Sequence, residues 1–460
     1  MSELFFFLLH LFRERRMFII VLNGYSGILE LWESSMLIEF NVTNFLSFKN
    51  RATFSMVAST DDTLEESNVI ATEKHRLVRS AVVYGANASG KSNLLAALNL
   101  MRRMVLTSSK DTQVNEEIDV EPFLLSTECD GKPSQFEVVF LQGGTLYRYG
   151  FQTDRKRVHA EWLFSRPSTK EATYFKREAQ NIDVNVDRFK EGKGLEERTR
   201  ENALFLSVCA QFNGDVATGL LKWFQNLRTM QGFAPMGFAP VTIDKLKAPK
   251  HKGRVLELTK VTDPGITDFD LQQKKLTLQD LPKELPDEIK KDIINDGPVI
   301  VELKTTHRKV DGANKDVGEV IFDLEDNESG GTQKLVKLTG PILDTLETGK
   351  VLVVDELDSR MHPLLTRLIV SLFNSPANGS NAQLIFASHD TTLLTPKLFR
   401  RDQIWFTEKD QYGATDLYSL VELKGVRKEA AFGKEYIQGK YGAIPFIGDP
   451  EWLLCEGCHE

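Results

Sequence analysis

Eight consecutive residues, Gly85-Ala86-Asn87-Ala88-Ser89-Gly90-Lys91-Ser92, have the types and spacing to hold a polyphosphate. Gly85 and Gly90 let the backbone curl close to phosphate oxygens. Successive N–H groups at the start of a helix can donate to the anion, Lys91 can reach the β- and γ-phosphates, and the Ser92 hydroxyl can enter a Mg²⁺ shell. Asp355-Glu356 follows the apolar run Val351-Leu352-Val353-Val354. There Asp355 can hold the Mg²⁺ shell and Glu356 can polarise an attacking water. Ser329-Gly330-Gly331-Thr332-Gln333 offers free N–H groups and a hydroxyl to an anion at a helix start, although a Gly-Gly pair alone is an ordinary turn. His389 ends the apolar run Leu384-Ile385-Phe386-Ala387 and can donate to a γ-phosphate, whereas a lone histidine is more often a structural hydrogen-bonding group.

These residues need elements that aim them at one point. The run Ala81-Val82-Val83-Tyr84 predicts a buried strand before the glycine loop, and Asn93 to Val105 predicts the helix after it. Leu37 to Val42 alternates as a strand, Asn44-Phe45-Leu46-Ser47-Phe48 turns, Ala52 to Val57 is a second strand, and polar Ser59 to Lys74 reads as a loop. Phe136, Val138 and Phe140, then Gly143-Gly144, then Tyr147, Tyr149 and Phe151 predict a hairpin. Strands are expected at Ala160 to Phe164 and Thr173 to Lys176, and helices at Ala203 to Cys209 and Val216 to Met230. In the second helix Val216, Leu220, Trp223 and Leu227 mark one core face. The basic run Lys245 to Arg254, with Pro249 and Gly253, reads as a solvated loop or, less commonly, a nucleic-acid contact. Val299 to Thr306 and Glu319 to Leu324 predict strands around the turn Asp311-Gly312-Ala313-Asn314. No heptad pattern persists in the middle region.

A net charge of −8 argues against coating nucleic acid through overall charge, without excluding a local basic groove. Four cysteines are too few for a disulfide framework and suit a reducing cytoplasm. Cys455-Glu-Gly-Cys458-His459 matches a haem-attachment pattern or half a zinc site, and reads as a tail without ligand because no second Cys/His pair is near. The apolar runs Phe5 to Phe12 and Met17 to Trp32 fall short of the roughly 18–20 residues that span a bilayer, so no transmembrane segment is expected. A weak membrane-surface anchor is the alternative for this segment. A good strand begins just after Met36, so a second reading takes Met36 as the true start.

In its order of GKS loop, SGG, apolar-DE and apolar-SH, the chain resembles ABC-type ATPase heads. The resemblance implies that Gly85 to Ser92 is the Walker A loop, Ser329 to Gln333 the signature, Asp355 and Glu356 the Walker B pair, Leu357-Asp358 the D-loop and His389 the switch histidine. It extends from Leu37 to about Phe406. Asn93 after GKS, Asn44 to Phe48, and Glu328-Ser-Gly-Gly-Thr332 are similar to SMC- and RecF-related heads rather than transporter subunits. Glu356-Leu-Asp-Ser-Arg-Met-His362-Pro363 and Tyr436-Ile-Gln-Gly-Lys-Tyr-Gly-Ala-Ile-Pro445 resemble stand-alone AAA-family ATPases of abortive-infection loci, RloA-like or AriA-like, and the ATPase half of OLD proteins. Thr332 departs from the transporter glutamine, and the nearest stand-in for a Q-loop is Glu121-Pro122-Phe123.

The fold implied is α/β, an ABC-type P-loop NTPase head with a mixed, mainly parallel core sheet, an antiparallel β subdomain and a helical insertion. The expected division is an extension over 1–35, an N-terminal lobe over 36–130, a hairpin and helical insertion over 131–297, a C-terminal lobe over 298–446 and a tail over 447–460. The resemblance implies ATP and Mg²⁺ as ligands, with Lys91, Glu356 and His389 catalytic. Residues 85–93, Ser329, Gly330, Gly331 and Asp358 would hold nucleotide, and Ser92 and Asp355 the metal. It also implies a homodimer or higher homo-oligomer closing over ATP, and a cytoplasmic role in phage defence beside a separately encoded, nuclease-like effector. Nucleic acid remains a possible partner. DNA repair of RecF type and transport are the competing readings. Outside the ATP-handling residues, the sequence displays no further cluster of carboxylates or Cys/His ligands fit for nuclease work.

Overall fold

The strand before the glycine loop, Ser80–Tyr84, is buried along its whole length. Its side chains alternate between two cores, Ala81 and Val83 entering one, Val82 and Tyr84 the other. The same alternation holds for Val351–Val354 and Gln383–Ala387, which is why each reads as a continuous apolar run: helices or a second sheet cover both faces. The computed structural model describes residues 35–72, 74–111, 113, 116–166, 170–230, 239–275 and 299–445. The N-terminal segment up to residue 34 and the tail with Cys455, Cys458 and His459 lie outside the described residues.

The central sheet runs in the order Leu227–Met230, Val351–Val354, Gln383–Ala387, Ser80–Tyr84, Ile404–Lys409, Thr415–Ser419. The first five strands are parallel and Thr415–Ser419 is antiparallel to its neighbour. Facing it is a seven-stranded antiparallel sheet, in the order Asn181–Val184, Ala172–Glu178, Val158–Arg166, Thr145–Thr153, Ser134–Gln142, Ser35–Thr43, Ala52–Ser55. Between the sheets, Leu94, Leu98, Met101 and Val105 of the helix Lys91–Thr107 pack with Phe40, Phe136 and Phe151. Trp223 stacks on Phe140 with ring centroids 4.1 Å apart. The hairpin forms as expected, with Gly143 and Gly144 both at positive φ as a two-residue turn requires. The ladder from Ser35–Thr43 to Ser134–Gln142 crosses residue 131, so this sheet draws on both sides of that expected boundary.

A third layer packs on the helix Gly330–Thr348. It comprises the helices Ala239–Lys247 and Pro249–Lys260 and the sheet Ile266–Lys275, Val299–Val310, Asp316–Asp323. Pro341 sits inside Gly330–Thr348 and cannot donate to the Lys337 carbonyl. The Thr242 hydroxyl donates to that carbonyl instead, at 3.0 Å, and the helix continues.

Four local expectations are corrected. Ser35 belongs to the first strand, its hydroxyl donating to Gln142 at 2.8 Å, so the extension does not include it. Ser59 to Lys74 is not all loop: Glu65–Asn68 is a helical turn and Val69–Ala71 a strand, with Asn68 buried against the Leu398 carbonyl and Gln403. The helix expected to reach Met230 stops at Asn226, because Leu227–Met230 pairs in parallel with Val351–Val354 as the sheet edge. The basic run is helical rather than a loop, and most of its cations are paired: Lys245 with Asp344 and Glu347, Lys247 with Asp244, Arg254 with Glu347, Lys252 with Asp268.

Candidate active site at the ends of the parallel strands

Cross-strand register puts Ala387 beside Val83 and Trp405 beside Val83, while Val354 lies beside Phe386. The loops leaving these strands therefore open on one edge of the sheet, where Gly85, Asp355, Glu356 and His389 emerge. Gly85 has φ +156°, and a Cβ there would stand 2.4 Å from both the Thr407 carbonyl oxygen and Ser89 Oγ. Gly90 has φ +116°, with Thr415 Oγ1 2.5 Å from a Cβ. Both positions need glycine for backbone conformation and for space. The helix starts at Lys91 with no side-chain cap, which leaves its first N–H groups to an anion. Ser92 is exposed, and among the described residues its hydroxyl makes no hydrogen bond. Asn87 and Ala88 form the exposed crest of the loop.

Lys91 is buried, and its Nζ donates to the carbonyls of Gly85 at 2.9 Å and Ala86 at 3.0 Å. Burial lowers its pKa, against the opposing pull of Asp355, Glu356 and Asp358. Those three carboxylates are thus electrostatically in reach of the loop lysine.

Bracing for the loop comes from Ser47, Thr407 and Thr415, which sequence reasoning did not assign to the site. Asn93 Nδ2 donates to Ser47 Oγ at 2.7 Å, and Thr415 Oγ1 lies 2.7 Å from Ser47 Oγ and 2.8 Å from the Ser89 carbonyl. A carbonyl only accepts, so the single Thr415 proton goes to Ser89 and Ser47 donates to Thr415. Ser89 Oγ also shares a 2.7 Å hydrogen bond with Thr407 Oγ1. Ser47 lies within the turn Asn44 to Phe48, whereas Thr407 and Thr415 carry no local signal. Glu121-Pro122-Phe123 closes over this turn, the Glu121 carbonyl accepting from Leu46 N–H at 2.9 Å and Phe123 N–H donating to Asn44 at 3.1 Å.

Asp355 is anchored by its N–H to the Met230 carbonyl at 2.8 Å, and its Oδ1 is buried without a hydrogen-bond partner. Asp358 Oδ1 is likewise unpartnered, while its Oδ2 accepts the His389 N–H at 3.1 Å. Glu356 has φ +50°, a left-handed conformation in which a non-glycine residue is strained. Partial burial and Lys91 depress the His389 pKa, with Asp358, Glu356 and Asp355 opposing. Unpartnered buried carboxylate oxygens, a free serine hydroxyl and a glycine cradle fit a hard divalent cation and phosphate groups.

Ser329 caps its helix, Oγ accepting from Thr332 N–H at 3.1 Å, and is itself exposed. Gln333 Nε2 donates to the Glu325 and Glu328 carbonyls, each at 2.9 Å, and so fastens the approach to the helix. Among the described residues no hydrogen bond or ion pair joins residues 329–333 to residues 85–92. The helix start instead meets the turn after Asp355: a Cβ on Gly331 would be 2.7 Å from the Arg360 carbonyl oxygen, and one on Gly330 3.4 Å from the Arg360 side chain.

The structure also assembles Asp263, His307 and Glu328, with ligand atoms all within 4.8 Å of one another, a cluster the sequence inventory misses. His307 Nε2 lies 2.7 Å from Glu328 Oε1, which also accepts from Thr305 Oγ1. Thr305 and His307 thereby brace the residue before Ser329, while Asp263 Oδ1 accepts from the Gly265 N–H at 2.9 Å. Among the described residues no helix is long and apolar enough to cross a membrane.

Residues 80–395 match the model of a family described as "AAA domain, putative AbiEii toxin, Type IV TA system". No curated protein matches the chain. Among solved structures it is similar to an SMC head bound to the C-winged helix domain of ScpA, at 14% identity over 83% of this chain and 97% of that one, with a TM-score of 0.42. It is also similar to the SMC head domain from Thermotoga maritima, at 10% identity over 83% and 98%, TM-score 0.36. A third is the recombination mediator protein RecF-ATPrS, at 14% identity over 84% and 99%, TM-score 0.34.

Proposed function

The chain belongs to the AAA-domain family whose model covers residues 80–395, and on that premise we propose that it binds and hydrolyses ATP with Mg²⁺ at the edge of the parallel sheet. The observation that carries this reading is the convergence of the glycine loop, Asp355, Glu356 and His389 at the ends of three neighbouring strands. Backbone N–H groups of residues 85–92 hold the phosphates, and Lys91 exchanges the carbonyls of Gly85 and Ala86 for phosphate oxygens. Ser92 and Asp355 would hold the cation, which would supply charge neutralisation to the phosphoryl group. Glu356 orients water and accepts its proton, and His389 donates to the transferring group. Asp358 fixes the His389 backbone through the 3.1 Å bond already described.

The assembly proposed is a homodimer, or a higher homo-oligomer, closing over nucleotide. Its support is the exposed Ser329, whose helix start has no hydrogen bond to its own glycine loop, so that its anion-facing groups are left to a second copy. The biological role proposed is phage defence, in which the nucleotide-driven change of state controls a separately encoded effector; the family description, with its abortive-infection-type toxin, supports this class. The pairing of Lys245, Lys247, Lys252 and Arg254 with carboxylates gives little support to a DNA-coating role.

The test mixes Lys91→Ala with Ser329→Arg protein. Each alone is expected to be inactive, and the mixture is expected to regain ATPase activity in heterodimers with one intact site. Mixed dimers confirmed by mass but lacking activity would overturn the shared-site arrangement, and wild-type protein without ATPase activity would overturn hydrolysis itself.

A further inference from the structure

Lys334 lies on the helix that Ser329 caps, and its side chain turns inward. Its Nζ donates to the Glu356 carbonyl at 2.6 Å and to the Ser359 carbonyl at 2.9 Å. Burial drives its pKa down to about 8, with Asp358 and Glu356 opposing. A cation is taken from water here to grip two main-chain oxygens, and both belong to the turn that carries Glu356.

That turn is held out of the ordinary backbone regions at two points, Glu356 with φ +50° and Arg360 with φ +60°. Its own hydrogen bonds are Leu357 N–H to the Ala387 carbonyl at 3.2 Å, Ser359 N–H to Glu356 at 3.1 Å and Met361 N–H to Asp358 at 3.0 Å. A strained conformation persists only where the surroundings over-determine it. The helix from Ser329 supplies two such restraints, Gly331 packed on the Arg360 carbonyl and Lys334 under Glu356 and Ser359.

We propose that Lys334 is a positioning residue for Glu356: it fixes the Glu356–Ser359 turn in the conformation that directs the carboxylate and ties that direction to the helix beginning at Ser329. A phosphate that engages Ser329 and Gly331 then acts on the Glu356 of the same chain, through a rigid helix and one ammonium group. This rests on the reading of Glu356 as the group that activates water.

Lys334→Met keeps the aliphatic stem and removes the donors, and Lys334→Arg keeps charge and donors. In the full chain, kcat, the KM for ATP, nucleotide Kd and amide hydrogen exchange of residues 355–361 would be measured for both. For Lys334→Met, kcat is expected to fall about 10-fold or more, because a misdirected base costs rate rather than ground-state binding. Kd should change less than about 3-fold, and the amides of Leu357, Ser359 and Met361 should exchange about 10-fold faster without nucleotide. Lys334→Arg is expected to recover part of both kcat and protection, and it carries the test if the methionine variant does not fold. Wild-type kcat in Lys334→Met, unchanged exchange at 357–361, or a parallel loss of kcat and Kd would each overturn the proposal. Equal hydrolysis by wild type and Glu356→Gln would overturn only the role of Glu356, since the exchange measurement reads the Lys334 contact without any turnover.

Discussion

Thr415 donates its hydroxyl to the Ser89 carbonyl at 2.8 Å across 326 positions of chain, so the shape of the glycine loop is set partly by the outermost strand of the sheet. The same hydroxyl accepts from Ser47, which accepts from Asn93 in the first turn of the loop helix. Thr415→Val keeps the shape and breaks this relay, leaving the buried Ser47 hydroxyl and the Ser89 carbonyl one partner short. The expected result is a loss of about 1–3 kcal/mol of stability and weaker nucleotide binding, read by thermal unfolding and by nucleotide titration. An unchanged affinity would show that the loop keeps its shape without the strand.

Lys91→Ala and Glu356→Gln should fail differently. Removing the ammonium takes away a charge-assisted contact, and nucleotide affinity should fall by about 10–100-fold. The glutamine variant should bind nucleotide like wild type and lose about 10²–10⁴-fold in kcat, the range of a general base. Equilibrium binding and single-turnover hydrolysis separate the two, and a Glu356→Gln protein that turns over normally would place the base elsewhere.

Adjacent glycines at the helix start should also differ. Alanine at Gly331 would drive a methyl group to 2.7 Å from the Arg360 carbonyl oxygen, a backbone atom that cannot swing away. Alanine at Gly330 meets only the Arg360 side chain, at 3.4 Å. Gly331→Ala is therefore expected to cost about 1–3 kcal/mol and to disturb hydrolysis by shifting the Glu356 turn. Gly330→Ala should melt within about 0.5 kcal/mol of wild type. Equal melting of the two variants would contradict the close packing at Gly331.

Asp61 gives a pH dependence away from the site. Burial would raise its carboxyl pKa, but the Thr63 N–H and hydroxyl, Arg401 and Lys428 outweigh burial and hold it well below the ordinary 3.8. A depressed folded-state pKa favours the ionised form in the fold. Its stabilisation is complete above the unfolded value near 3.8 and fades as pH falls below it. Asp61→Asn should be less stable than wild type by about 1–2 kcal/mol at pH 7, and the gap should close towards pH 2 in denaturant titrations. A gap independent of pH would mean that the charge contributes nothing.

Much of the local structure of the candidate site was legible because it depends on near neighbours in the chain. Gly85 and Gly90 announce a backbone that only glycine adopts, the apolar run before them announces a strand covered on both faces, and Val351 to Glu356 reads the same way. The hairpin at Gly143-Gly144 follows from alternation and two positive φ angles. Errors fell where one pattern suits two structures. Leu227 continues a helical stripe and also fits a sheet edge, and the strand at Val351–Val354 decided between them. Lysines and arginines with Pro249 and Gly253 look solvated until Asp344, Glu347 and Asp268 are brought against them.

The sequence alone determined the glycine loop, the buried strands and the helix starts from which the proposed phosphate and cation groups emerge, since glycine conformation, strand burial and helix starts depend on neighbours a few positions away. Tertiary structure decided what holds those groups in place: the Ser47 and Thr415 relay under the loop, the unpartnered oxygens of Asp355 and Asp358, and the inward turn of Lys334 beneath Glu356. Each of these joins elements far apart in the chain, and no local periodicity records a hydrogen bond whose two ends are brought together only when the sheets close on their shared core.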